Sequence, residues 1–445
     1  MHNYNLKITD LADHRGVART PEGQVVMIDH ALPGDEVEVD IMPSPKPSNM
    51  LQGKLLNIIN PSPHRIQHPC EHHLCAGESG YTGCKGSPLG AYDYDAQLDL
   101  KRKRLIETLS RIGGIKNADV RKVIPSPQPW AYRDRIELKL RRTGSGWQLN
   151  YGSETETAPI LNCHLASTVI QSTLAQLNDN YAALNDVTTD DFPSARCLIR
   201  DNGSGKSVVI LFIEQRLITG TLQQLSSWLQ IESIAGNRIL YAADLANRFN
   251  NHILLQETGD CDVRVSLGEH ELKIDPLVFT QTNLSLRKQL CDLVLDEFTT
   301  DVKLTDFFGG FGWFGLAYAQ RGGKSTIVES SRPAVLAGKR FSKEHQLSVD
   351  YILADLFKPL DRRLLPSCES LILDPPRSGL SKSLRKSLNQ SGPETIVYVS
   401  CHMAALARDL QALSQYKPVH FTPVDMFPQT PELETVALLK RQVDA

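Results

Sequence analysis

The sequence predicts an α/β protein in three parts: an N-terminal OB-like β-barrel, a central α+β domain, and a doubly wound, mainly parallel C-terminal domain. Three observations carry this. At 445 residues the chain is too long for one ordinary core, so two or three domains are expected. Residues 1–62 break short apolar stretches with turn chemistry and show no helical period. From residue 269 to 445, apolar strands alternate with helical segments, and the strands end in loops carrying Asp, Gly or Cys.

In the first part, LKITDL, VVMID, EVEVDI and GKLLNII are separated by HRG, PEG, LPGD and PSPKPSN, and PSPHRIQHP closes the unit. Five short strands of this kind suit a small barrel. The central part, 63–268, opens with three cysteines in a Gly- and His-rich loop. A helix follows over roughly 93–112, with Leu98, Leu105 and Leu109 near helical spacing and Gly113-Gly114 as its stop. The segment 93–124 is a candidate to pack on the C-terminal domain. Beyond it come RIELKLRR, GWQLNYG and a hairpin turning at Asn202-Gly203. In the last part the strands are VKLTDF, KSTIVE, VDYIL, SLIL and TIVYVS; ligands of such sheets bind at the strands' carboxyl ends.

Composition narrows the function. The chain is 41% hydrophobic and 22% charged, which provides for a full core in each domain. No apolar run reaches the roughly 18–20 residues of a membrane span, and MHNYNLKITD lacks a signal peptide's order, so a cytoplasmic protein without a membrane partner is expected. A net charge of −3 argues against a wholesale polyanion binder without excluding one, since binding needs only a local basic face. Nine cysteines without an export signal point to metal or catalysis before disulfides.

Four motifs carry chemistry. In LTDFFGGFGWFGLAYA, Asp306 lies at a strand end, Gly309, Gly310 and Gly312 permit a tight turn, and Glu329 follows 23 residues later, where an acid can accept from a ribose diol. The missing second half of G-x-G-x-x-G suits a ligand without pyrophosphate; a glycine turn with a chance downstream acid is the plain alternative. In LILDPPRSGL, two prolines fix the loop so that Asp374 faces a ligand while Arg377 reaches outward. In IVYVSCHMAALARDL, Cys401 sits between a strand and a helix whose N-terminus can lower a thiol's pKa, although a lone cysteine there is more often a buried small hydrophobe. In DMFPQTPELETVALLKR, Glu434 precedes an apolar strand, where a solvated flanking acid is the ordinary reading.

Together, FTQTN (279–283), DFFGGFG (306–312), DPPRSGL (374–380), YVSC (398–401) with ARDL (407–410), and FPQTPELE (427–434) resemble the RNA 5-methyluridine methyltransferase family. ALPGDEVEV and PSPHR resemble the TRAM barrel that many members carry. The resemblance implies a Rossmann-like methyltransferase domain using S-adenosyl-L-methionine. It makes Cys401 the nucleophile and Glu434 the base, with Gln281, Phe308, Glu329, Asp355 and Asp374 around the cofactor. The chemistry agrees: C5 of uracil is a poor nucleophile until a thiolate adds to C6, and a base must then remove the C5 proton. The base must also leave its stack.

The resemblance further implies a 4Fe–4S cluster on Cys70, Cys75, Cys84 and Cys163, with ILNCHL matching the fourth-ligand context and C-x4-C-x8-C wider than the family's run. Zinc drawing on His68, His72, His73 or His164, or no metal, are the alternatives. RNA is the expected partner, ribosomal RNA first and transfer RNA second, for a monomeric protein. Lys101–Arg104, Tyr132, Arg133, Arg135, Arg141 and Arg142 are candidate contacts. Gly309, Trp313, His402, Met403 and Gln429 depart from the family's usual residues and motivate a rival reading, a catalytically silent RNA-binding factor. Cytosine-C5 methylation is a further alternative, against which FPQTPELE speaks.

Overall fold

A computed structural model describes residues 3–442 except 13, 43–49, 74–83, 152–158, 189, 191, 215–216, 218, 243–251, 360–364 and 366–367. The N-terminal sheet contains β1 (Asn3–Lys7), β2 (Asp10–Ala12), β3 (Arg15–Arg19), β4 (Val25–Asp29), β5 (Glu36–Met42) and β6 (Met50–Asn60), in the order β1-β5-β6-β4-β3-β2. Five strands are expected from sequence and six are present. The extra one, β2, is three residues long and merges with β1 in any reading of apolar runs. Alternation turns Val37 and Val39 of β5 inward onto Leu6, Val26, Ile28 and Leu55. At Gly53 of β6 a Cβ would stand 2.6 Å from Val39 Cγ1, so only glycine fits where β6 crosses this core.

The helix α1 (Tyr94–Arg111) is capped by Asp93, whose Oδ1 accepts from Ala96 N at 3.0 Å. Leu105 and Leu109 are fully buried in the same core as Phe307, Tyr398 and Phe421 of the C-terminal domain. Spacing by four places Gln97 and Lys101 on that inward face as well, and this corrects the reading of the KRKR run as an exposed cationic stretch. Lys101 is wholly buried; its Nζ donates to Asp425 Oδ1 at 2.5 Å and to Phe427 O at 3.0 Å, while Tyr94 OH donates to Asp425 Oδ2 at 2.9 Å. Arg102 is spent on the carbonyls of Val120 and Arg121, and Lys103 alone in the run stays largely exposed, beside Glu107.

The central sheet comprises β7 (Arg135–Thr143), β8 (Gly146–Asn150), β9 (Ser194–Asp201), β10 (Ser207–Ile213), β11 (Ile234–Ala242) and β12 (His252–Gly259), ordered β12-β11-β10-β9-β7-β8. The helices α2 (Thr168–Asp179) and α3 (Thr219–Trp228) bury Leu174, Leu177 and Trp228 against Val209 and Leu211. The β9–β10 hairpin turns through 202–206, with Gly203 at φ 77° and Asn202 N donating to Lys206 O. A two-stranded sheet, β13 (Val263–Leu267) and β14 (His270–Ile274), leads into the last domain.

There the elements are α4 (Arg287–Leu295), β15 (Lys303–Phe307), α5 (Trp313–Gln320), β16 (Lys324–Glu329), α6 (Arg332–Glu344), β17 (Val349–Leu353), β18 (Ser370–Leu373), α7 (Lys382–Ser391), β19 (Thr395–Ser400), α8 (Met403–Ala412), β20 (Tyr416–Val424) and β21 (Glu434–Arg441). The order is β17-β16-β15-β18-β19-β21-β20, parallel from β17 to β19, with β21 antiparallel between β19 and β20. The chain winds outward from β15 in both directions, so the crevice between β15 and β18 is the switch point where a ligand fits. No helix among the described residues is long and apolar enough to cross a membrane.

Removing the Lys101 ammonium leaves the Asp425 carboxylate buried without its cation. Lys101→Ala is expected to cost about 3–5 kcal/mol of stability in urea denaturation; a loss below about 1 kcal/mol, the range of an exposed pair, would show that the contact is incidental.

Candidate active site

The site begins at the carboxyl end of β15. Phe308 takes a left-handed conformation, φ 63°, which is costly for a bulky residue, and its N–H donates to Val328 O at 3.0 Å. The turn then runs through Gly310 and Gly312, both at positive φ, into α5. A Cβ at Gly309 would lie 2.8 Å from Asp306 Oδ2 and from Ile327 Cγ2, which explains glycine at this position. Asp306 is fully buried: Oδ2 accepts from Gly315 N at 3.1 Å, Oδ1 has no partner, and burial pushes the carboxyl up to about 8. Glu329 ends β16 and braces the turn, its Oε2 accepting from Gly310 N at 3.0 Å. Asp355 follows β17 and accepts from Phe357 N at 3.0 Å.

Gln281 arrives from outside the sheet. Its segment is tied to the start of β7 by Asp134, a buried carboxylate that accepts from Thr280 Oγ1 at 2.9 Å, from Thr282 Oγ1 at 3.2 Å and from Arg287. Burial would raise the Asp134 carboxyl, but the guanidiniums of Arg135, Arg287 and Arg200 outweigh it and hold it low. So anchored, Gln281 donates through Nε2 to Asp374 Oδ2 at 3.4 Å.

The thiol and the second acid come from neighbouring strands. β19 and β21 pair with Ser400 opposite Thr435, so Cys401, just past β19, and Glu434, the first residue of β21, are side by side. Glu434 is 1% exposed and its Oε1 has no partner, which overturns the ordinary reading of a solvated flanking acid. Burial, then the charges of Asp374 and Glu432, hold its carboxyl well above the usual range. Burial likewise pushes Asp374 up to about 7. The expectation that a helix N-terminus lowers the Cys401 thiol is corrected: burial, with Glu434 and Asp374 nearby, pushes it up to about 12. Cys401 precedes the cap residue His402, whose Nδ1 already accepts from Ala405 N at 3.2 Å.

Gln281, Phe308, Glu329, Asp355, Asp374, Cys401 and Glu434 all line one cavity of about 500 Å³. Sequence reasoning missed Phe279, within the FTQTN motif. It is 63% exposed at the cavity mouth, with the Arg135 guanidinium 5.1 Å from its ring centroid. Arg377, expected to reach outward, pairs with Glu432 on the same rim.

Other expected contacts fare differently. Tyr132 is fully buried, its OH donating to Pro428 O at 3.0 Å, so it offers no stacking face. Arg142 is spent on Val187 O, whereas Arg133 and Arg135 line a cleft of about 1550 Å³ that adjoins the cavity. Cys70, Cys84 and Cys163 line that cleft too; burial, and then the neighbouring thiols, push the Cys70 and Cys84 thiols up. Cys75 lies outside the described residues. Cys70 Sγ is 3.7 Å from His72 Nδ1, and His68 and His73 stack at 3.9 Å. Among the described residues no three His, Cys, Asp or Glu side chains are arranged to hold a metal. Three thiols share a wall without closing a ligand set.

Asp306 links the site to pH. Its carboxyl titrates near 3.8 when unfolded and about 8 when folded, so the folded state binds this proton more tightly and stability falls as pH rises between those values. Asp306→Asn removes the penalty. Its stability relative to the native chain, from urea denaturation, is expected to improve from pH 5 to pH 8; a pH-independent difference would mean that Asp306 is not held neutral.

Residues 361–442 match the tRNA (Uracil-5-)-methyltransferase family model, and residues 3–56 match the TRAM domain. An uncharacterized RNA methyltransferase of Fusobacterium nucleatum is 27% identical over 95% of this chain and 92% of its own length. The tRNA (uracil(54)-C(5))-methyltransferase of Pyrococcus abyssi is 26% identical over 93% of this chain and 95% of its own. The crystal structure of that Pyrococcus abyssi enzyme with S-adenosyl-L-homocysteine superposes with a TM-score of 0.74 at 22% identity, covering 98% of this chain and 100% of that one, and shares its fold. Both family-model matches and the relatives agree: along nearly its whole length the chain is similar to RNA uridine-C5 methyltransferases.

Proposed function

We propose that the protein methylates C5 of a specific uridine in RNA, with Cys401 as covalent nucleophile and Glu434 as base. One observation carries this reading: Cys401 and Glu434 meet at the wall of the cavity that Gln281, Glu329 and Asp355 also line. The cavity fits S-adenosyl-L-methionine, having acceptors in Glu329 and Asp355 for a ribose diol and a buried, partnerless Glu434 Oε1 at the reacting end. That cofactor supplies an electrophilic methyl group on a positive sulfonium.

The chain's own groups do the rest. Cys401 gives up its proton to solvent and its Sγ adds to C6 of the uracil, leaving C5 as the nucleophilic carbon of an enolate. After methylation of C5, ionised Glu434 removes the C5 proton, the electrons re-form the C5–C6 double bond, and the C6–S bond breaks to return the thiolate. Burial raises both groups in the ligand-free fold, so the positive charge that arrives with the donor favours the ionised forms the reaction needs. Phe279 and Arg135 at the mouth offer a ring face and a cation to an everted nucleotide.

Ribosomal RNA is the substrate inferred from the cysteine set, and a 4Fe–4S cluster on Cys70, Cys75, Cys84 and Cys163 is its proposed structural cofactor; anaerobic purification would yield brown, iron-containing protein. Transfer RNA is the second reading, favoured by the named substrate of the Pyrococcus abyssi relative, whose match also spans the barrel. The retained Cys401 and Glu434 in one cavity favour an enzyme over a silent RNA-binding factor.

Total RNA from cells lacking the protein, incubated with it and methyl-labelled donor, is expected to gain 5-methyluridine in the ribosomal fraction. Label in transfer RNA would select the second reading, and no transfer to any RNA would sink the proposal. Cys401→Ala should abolish transfer. Glu434→Gln should slow turnover roughly a hundredfold or more and accumulate protein–RNA adduct.

A further inference from the structure

Trp313, the first residue of α5, carries a polar atom that the fold leaves unused. Its indole Nε1 is buried and has no hydrogen-bond partner. An indole N–H can only donate, so burying it unpaired is unfavourable unless an acceptor arrives from elsewhere. The ring is held edge-on to Phe311, centroids 6.0 Å apart, and packs against the apolar cores on either side of α5.

The side chain lines a recess of about 40 Å³. That space is too small for a nucleoside and of the size of a terminal ionic group. It shares Phe279, Gln281, Phe308 and Asp374 with the large cavity and so continues it. Arg287, whose guanidinium is paired with Asp134, and the acid Asp374 also line the recess. Glu329 and Asp355 are absent from the recess but line the large cavity, where they suit the ribose. A donor whose sugar lies there extends its other end, the amino-acid tail, toward Trp313.

We infer that Trp313 Nε1–H donates a hydrogen bond to the carboxylate of the methyl donor's amino-acid tail, making Trp313 a positioning residue that selects donors bearing that tail. The inference rests on the proposed use of S-adenosyl-L-methionine. A neutral donor meeting a charged acceptor makes a charge-assisted bond stronger than one between neutral groups. It also fixes the tail's direction, and with it the line along which the methyl group faces the uracil.

Trp313→Phe keeps the ring and removes the N–H. Titration calorimetry on the full chain, native and variant, would use S-adenosyl-L-homocysteine and 5′-methylthioadenosine, which keeps the nucleoside and thioether but has no amino-acid tail. The variant is expected to bind S-adenosyl-L-homocysteine about tenfold more weakly and methylthioadenosine unchanged. Unchanged binding of both, or an equal loss for both, overturns the inference. If the native chain binds neither compound, the donor-site reading falls and the inference with it.

Discussion

The site depends on one strand running against its neighbours. β21 enters the sheet antiparallel between β19 and β20, and its register sets Thr435 opposite Ser400. A parallel strand in that slot would bring its carboxyl end to the crevice; the antiparallel one brings its first residue, Glu434. The thiol that ends one strand and the acid that begins the next are thereby adjacent without either lying on a flexible loop. The 425–433 segment is in turn fixed by α1, through the buried Lys101–Asp425 pair and the Gln97 amide, whose Nε2 donates to Gln429 Oε1 at 2.8 Å. A helix far from the chemistry in sequence thus sets where β21 starts.

Electrostatics follow from this crowding. Cys401, Glu434 and Asp374 line one cavity; burial raises all three, and the Asp374 charge raises the other two further. One positive charge nearby would shift all three acids the same way, downward. On the opposite side, Asp134 gathers three guanidiniums and ties the Gln281 segment to β7, joining the cofactor cavity to the sheet whose Arg133 and Arg135 face the cleft.

Much of this was legible in the residues. The strands of the parallel run announced themselves as short apolar stretches ending in loops with Asp, Gly or Cys, because inner strands such as β18 and β19 are buried on both faces. Cys401 and Glu434 were legible through motif context. What escaped was what depends on the third dimension. Lys101 looked like one cation in a basic run, yet the period of α1 put it on the inward face beside Leu105. Tyr132 looked like a stacking ring and is core. The helix N-terminus near Cys401 suggested a lowered thiol, while burial and two carboxyls, invisible in sequence, act the other way. Phe279 escaped because an exposed aromatic is indistinguishable in sequence from a buried one.

The central claim is a covalent bond between Cys401 and a uridine. RNA substrate transcribed with 5-fluorouridine cannot lose the C5 substituent as a proton, so the adduct cannot eliminate. Incubated with protein and S-adenosyl-L-methionine, then digested with protease and nuclease, it should yield a methylated 5-fluorouridine fragment joined to the peptide containing Cys401, identified by mass spectrometry. Attachment at any other residue, or methylated RNA with no trapped peptide, would contradict the account.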